Sequence, residues 1–144
     1  MDTIYIPKHF VIQELVPPDV YADRGDKAWE LLDMRMLITQ DQLREKFGPM
    51  IVNNWHMDNR PSWAPNKREW AGLRTEDSPW GTRYSQHRFG RAADNIIRDI
   101  TAEEARQYIL AHQNEFPFIG SIELGTSWLH YDVRNCERIK TYTP

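Results

Sequence analysis

Three features of this 144-residue chain predict an α+β fold, with helices on one face of a small, mainly antiparallel sheet and a metal site on the other. Apolar residues recur at helical spacing in the first third, which closes on Gly48-Pro49, a terminator followed by a breaker. Thr101-x-x-Glu104 is a capping box, placing a helix start at Thr101. The last two strand segments, 119–124 and 128–133, are joined only by Gly125-Thr126-Ser127, which suits a hairpin and leaves no room for a crossover helix. Doubly wound sheets need such crossovers, so they are disfavoured.

The elements follow in order. Phe10 to Val16 reads as a brief strand or extended arm, because Pro17-Pro18 stops any longer ladder or helix. Pro18 to Arg24 has the length of a short helical turn ended by Gly25. Ala28, Trp29, Leu31 and Leu32 form the apolar face of a helix from Asp26 to about Asp33, and Met36, Leu43 and Phe47 that of a second. Met50 to Asn53 is a strand candidate. Residues 54–84 then hold Trp55, Trp63, Trp70 and Trp80 among three prolines and two glycines, a composition that suits a long ordered loop. Its tryptophans either pin the loop to the body or line a groove. A strand runs from near Arg91 through Asn95-Ile-Ile. Ala105, Tyr108, Ile109 and His112 make the buried stripe of the helix that follows, which puts His112 on a helix edge. The polar tail from Asn135 frays or caps a sheet edge.

Length bounds this as one domain, residues 1–144, with a helical N-terminal part (1–49), a motif-bearing core (50–134) and a tail (135–144). With 40% hydrophobic and 27% charged residues the chain is globular, neither disordered nor membrane-like. A net charge of -3 argues against a nucleic-acid partner held by phosphate neutralisation. The single Cys136 cannot form an internal disulfide, so nothing requires an oxidising compartment. The start, Met-Asp-Thr-Ile-Tyr-Ile-Pro, lacks the pattern of a secretory signal, and no stretch reaches the roughly 20 apolar residues that cross a bilayer.

The chemistry concentrates in Ser85-Gln-His-Arg-Phe-Gly-Arg-Ala-Ala-Asp94. A turn at Gly90 after His87 can lead into a strand that brings His87 and Asp94 to one point. Imidazole nitrogen and carboxylate oxygen are both zinc donors, and a catalytic zinc takes three protein ligands and leaves one position for water. The third candidate is His130. In Ser127-Trp-Leu-His-Tyr-Asp-Val-Arg134 the residues Trp128, His130 and Asp132 alternate with Leu129, Tyr131 and Val133, giving one polar and one apolar face. His9 and His56 read as loop histidines.

Ser85-x-His87-x-x-Gly90-x-Ala92-x-Asp94, followed by Trp128-x-His130-x-Asp132, resembles the zinc D-alanyl-D-alanine carboxypeptidase family and its phage L-alanyl-D-glutamate endolysin relatives, which share a fold with the hedgehog signalling domain. The resemblance covers about Met50 to Arg134, and its two motifs are specific as a pair. It implies Zn2+ held by His87, Asp94 and His130, and hydrolysis of a peptide bond in the peptidoglycan stem peptide by metal-activated water. It also implies that Arg74 binds a substrate carbonyl or carboxylate with its planar guanidinium fork. Relatives often carry Ser-Gly-x-Arg there; here Ala71 replaces the serine, and Arg83, Arg88 and Arg91 are alternatives for the arginine's role.

The general base departs from the commonest pattern. A carboxylate often stands three residues before the last histidine, where this chain has Ser127. Glu123, on the partner strand of the hairpin, and Asp132, on the face of His130, are the two candidates. The resemblance favours Glu123 as base, Asp132 as a supporting group that orients a ligand, and Ser85 as a shaper of the turn. An enzyme of this kind without a secretory signal reaches the wall after holin-dependent or other lysis of the host membrane, or within a phage particle alongside other tail or virion proteins. A competing expectation is a zinc-stabilised binding or virion-structural domain without turnover, and a third is a metal-free interaction module.

Overall fold

The computed structural model describes residues 4–144, so 1–3 of the N-terminal stretch considered above lie outside the described residues. Three α-helices, α1 (Pro18–Arg24), α2 (Met34–Phe47) and α3 (Ala102–Ala111), pack with five strands, β1 (Met50–Ile51), β2 (Ala92–Ile97), β3 (Ser121–Glu123), β4 (Leu129–Asp132) and β5 (Lys140–Tyr142). The sheet order is β1-β2-β4-β3-β5. All neighbouring pairs are antiparallel except β3 with β5, which are parallel, so the sheet is mixed. No described helix is long and apolar enough to cross a membrane.

Period-two alternation sorts the two faces. Ala93, Leu129, Tyr131 and Val133 are buried in the main core. Tyr131 donates from its hydroxyl to Gln40 Oε1 (2.8 Å), with Met36 O 3.1 Å away, and Gln40 donates to Asn95 Oδ1 (2.9 Å), which ties α2 to this side. Asp94 and His130, one residue out of phase, project from the opposite side, where they are register partners. Thr101 caps α3 through its side chain, with Glu104 completing the box.

Two stretches of the N-terminal part differ in backbone from the sequence expectation. Residues Gly25–Leu31 form 3-10 turns and no α-helix. Gly25 breaks the chain at φ 55, and Asp33 must be extended to cap α2 through Arg35 N. Between these breaks the backbone takes the tighter 3-10 form, although Ala28 and Trp29 are buried as their spacing requires. The Phe10–Val16 arm is likewise neither strand nor simple extension: Ile12–Glu14 is a 3-10 turn that drives Leu15 and Val16 into the core.

That turn buries Glu14, whose carboxylate accepts from Val11 N at 3.0 Å. Burial, opposed by the Val11 amide and the charge of Arg44, pushes its carboxyl up to about 7. Between the ordinary 4.5 and about 7 the folded chain holds a proton that the unfolded chain has released, so stability falls as pH rises through that window. Glu14→Gln keeps an acceptor for Val11 and has no such proton to lose. Denaturant unfolding at about pH 5 and about pH 8 is expected to show wild type losing about 2–3 kcal/mol more than the variant. Equal losses would show that Glu14 is not held protonated.

The long loop is fastened by two adjacent buried asparagines. Asn53 donates to Val16 O (3.2 Å) and accepts from Ala71 N (3.0 Å). Asn54 donates to Ala64 O and Asn66 O (both 3.0 Å) and accepts from Arg68 N (2.7 Å). Arg68 then reaches Val52 O (2.8 Å) and Asp94 O (3.0 Å), linking the loop to β2 behind the site. Asn54→Ala strands these backbone groups away from water, and a loss of about 3 kcal/mol in denaturant unfolding is expected. A loss within about 0.5 kcal/mol, the usual range for a surface substitution, would mean that the loop is held elsewhere.

Candidate metal centre

The chain bends back after a short 3-10 turn, Gln86–Phe89, and enters β2 through Gly90. Gly90 is left-handed (φ 68), and a Cβ there would collide with the carbonyl of Leu31, so both conformation and space call for glycine. Ser85 heads the turn, its carbonyl accepting from Arg88 N at 3.0 Å. This geometry sets His87 beneath Asp94 on β2 and beside His130 on β4. One donor atom of each lies within 4.8 Å of the others, all three residues are buried, and the group can hold a metal ion.

The contacts are closer than that limit. His130 Nδ1 is 2.7 Å from Asp94 Oδ1 and 3.2 Å from His87 Nε2, and His87 Nε2 is 3.3 Å from Asp94 Oδ1. The far nitrogen of His87, Nδ1, lies 2.8 Å from Gly72 O. A carbonyl can only accept, so Nδ1 carries the proton and Nε2 turns a lone pair into the cluster. Burial, opposed by the Asp94 carboxylate, lowers the His87 pKa. Burial also works against the Asp94 charge, but His87 and His130 outweigh it and hold the carboxyl well below the usual range. Two imidazole nitrogens and one carboxylate oxygen thus crowd a single buried point, an arrangement that a cation suits.

The cluster forms the floor of an open cleft of about 1250 Å³. Arg74 reaches it from the loop, donating to Trp70 O (2.7 Å) and Asp94 Oδ2 (3.1 Å). Glu123 stands on β3 with Oε2 3.9 Å from His130 Nδ1. Asp132 is fully buried and grips Arg134 through two contacts, 2.8 and 2.6 Å, so its partner is this arginine and not a cluster histidine. Arg83, Arg88 and Arg91 make no ion pair with Asp94, whereas Arg74 does.

The tryptophans divide between the two expected roles. Trp55 pins the loop, donating to Val16 O at 2.9 Å and packing on Tyr21, whereas Trp70 and Trp80 line the cleft. Trp80 (63% exposed) and Tyr84 (71% exposed) form an uncovered aromatic rim.

The sequence reading missed Tyr142. The tail that carries it is a strand, β5, pairing with β3 so that Tyr142 is the register partner of Glu123. Its ring meets His130 edge-on at 6.1 Å and lines the cleft. Burial, then the carboxylates of Glu123 and Asp132, push its phenol up. The only available signal was the weak alternation of Lys140-Thr-Tyr, which resembles any short polar edge.

No family model, curated protein or solved structure matches this chain.

Proposed function

We propose that this protein is a zinc-dependent peptidase that hydrolyses peptide bonds of bacterial peptidoglycan, of D-alanyl-D-alanine carboxypeptidase or endolysin type. The observation that carries this reading is the convergence of His87 Nε2, Asp94 Oδ1 and His130 Nδ1 on the floor of a large cleft, with Glu123 beside them. Atoms about 2.0–2.1 Å from a tetrahedral centre are about 3.3 Å apart. The three separations here, 2.7, 3.2 and 3.3 Å, are already near that spacing. Two imidazoles and one carboxylate form a donor set that zinc accepts, with a position left open. The motif pair's likeness to the peptidoglycan peptidases supplies the substrate class, and a cleft of about 1250 Å³ has room for a peptide.

His87, Asp94 and His130 would hold the ion. Bound there, zinc supplies Lewis acidity, which acidifies water and polarises a carbonyl. The remaining work falls to the chain's own groups. Glu123 takes the proton of the attacking water and returns it to the leaving amine nitrogen as the C–N bond breaks. Arg74, anchored on the Trp70 carbonyl, directs its guanidinium along the cleft beside Asp94, where it can orient a substrate carbonyl or carboxylate. Trp70 and Trp80 provide walls against which a stem peptide can lie.

The test is metal analysis of the purified protein together with mass spectrometry of peptidoglycan fragments after incubation. One zinc per chain and new peptide termini in the stem are expected. Stoichiometric zinc with intact peptidoglycan would instead favour a non-catalytic binding or virion-structural role, and absence of zinc would favour a metal-free module.

A further inference from the structure

The register of the sheet aligns more than the three candidate ligands. Asp94 on β2 is paired with His130 on β4. The β3–β4 pairing of Ser121 with Asp132 and Ile122 with Tyr131, continued by one residue, sets Glu123 opposite His130. Glu123 is in turn paired with Tyr142 on β5. Side chains in register on neighbouring strands project to the same face. Asp94, His130, Glu123 and Tyr142 therefore form one row across four strands: ligand, ligand, carboxylate and phenol.

Tyr142 is held in that row from several directions. Leu124 N donates to its carbonyl at 2.7 Å, its ring stands edge-on to His130, and the Arg134 guanidinium, fixed by Asp132, lies 5.9 Å from the ring centroid. Tyr142 is exposed to the cleft that it lines, and its hydroxyl makes no hydrogen bond to another described residue. A phenol ordered by its ring, with its donor unspent, is a preorganised partner for charge that develops during a reaction.

Resting on the peptidase reading above, we propose that Tyr142 is a catalytic residue that donates a hydrogen bond to the oxygen of the scissile carbonyl as that oxygen becomes negative. Water adds to the carbonyl carbon, its proton passes to Glu123, and the C=O π pair moves onto the oxygen that the phenol meets. When the C–N bond breaks, that pair re-forms the carbonyl and the proton on Glu123 passes to the departing amine. Tyr142 keeps its own proton throughout, so no further acid, base or co-reactant is needed.

Tyr142→Phe keeps the ring against His130 and removes only the hydroxyl. On muropeptides released from purified peptidoglycan, the zinc-loaded variant is expected to lose about 100-fold in kcat, with KM and zinc content little changed. A phosphinate analogue of the tetrahedral intermediate should bind the variant more weakly by a similar factor, while the product peptide binds both proteins alike. Wild-type kcat in Tyr142→Phe, or a rise in KM alone, would overturn the assignment and leave the peptidase reading standing. Loss of activity in Tyr142→Ala but not in Tyr142→Phe would also overturn it, by showing that the ring only packs. Zinc-loaded wild type that cleaves no muropeptide would remove the peptidase reading, and this assignment with it.

Discussion

His87→Ala is expected to abolish stoichiometric zinc binding and, with it, peptidoglycan cleavage. Of the three candidate ligands, His87 is the one whose tautomer is fixed from outside the cluster, by the carbonyl of Gly72 at 2.8 Å. Its removal leaves two donors, too few for a tetrahedral site with one open position. Loss of a group that merely supports a ligand costs about 10–100-fold in metal affinity, and loss of the ligand itself should cost more. Competition against a chromophoric chelator measures this directly. Because the alanine also vacates buried space, thermal unfolding of both metal-free proteins is needed alongside. A variant that folds, binds zinc as tightly as wild type and still cuts muropeptides would refute the metal centre.

Glu123→Gln is expected to separate binding from turnover. The amide matches the carboxylate in shape but cannot accept the proton of attacking water, so kcat should fall by about a hundred- to ten-thousand-fold. Glu123 is not one of the three converging donors, and its nearest approach to them is 3.9 Å from His130 Nδ1, so zinc stoichiometry should be retained. The parallel variant Asp132→Asn decides between the two carboxylates. Asp132 is spent on Arg134 and fully buried, so its loss should appear in stability more than in the proton-transfer step. Full activity in Glu123→Gln together with an inactive, stably folded Asp132→Asn would reverse the roles assigned here.

The grouping of His87, Asp94 and His130, which could hold a metal ion, was legible in the sequence because each member sits in a short local pattern. Gly90 dictates the bend between His87 and Asp94, and strand alternation assigns His130 to one face without knowledge of what covers the other. The capping box at Thr101 is equally local. What could not be read depends on distant partners. The parallel pairing of β5 with β3 has no turn to announce it, so Tyr142 looked like part of a polar tail. Asn53, at the end of a strand candidate that in fact stops at Ile51, and Asn54, at the head of the loop, are ordinary by composition, and only the backbone groups of Ala64, Arg68 and Ala71 reveal them as clips. The stretch Gly25–Leu31 was misread because its apolar spacing is helical, whereas the breaks at either end decide its backbone.

Gly72 has a reach wider than its size suggests. Its α-carbon presses against the backbone of Leu15, where any side chain would collide with the Leu15 carbonyl, and the next amide, Leu73 N, donates to that same carbonyl at 2.8 Å. The oxygen of Gly72 meanwhile fixes the His87 ring. The aim of an imidazole in the second half of the chain is therefore inherited from a bend near its front. A shift of the Leu15 main chain would be transmitted, rung by rung, to the nitrogen that faces the candidate metal position.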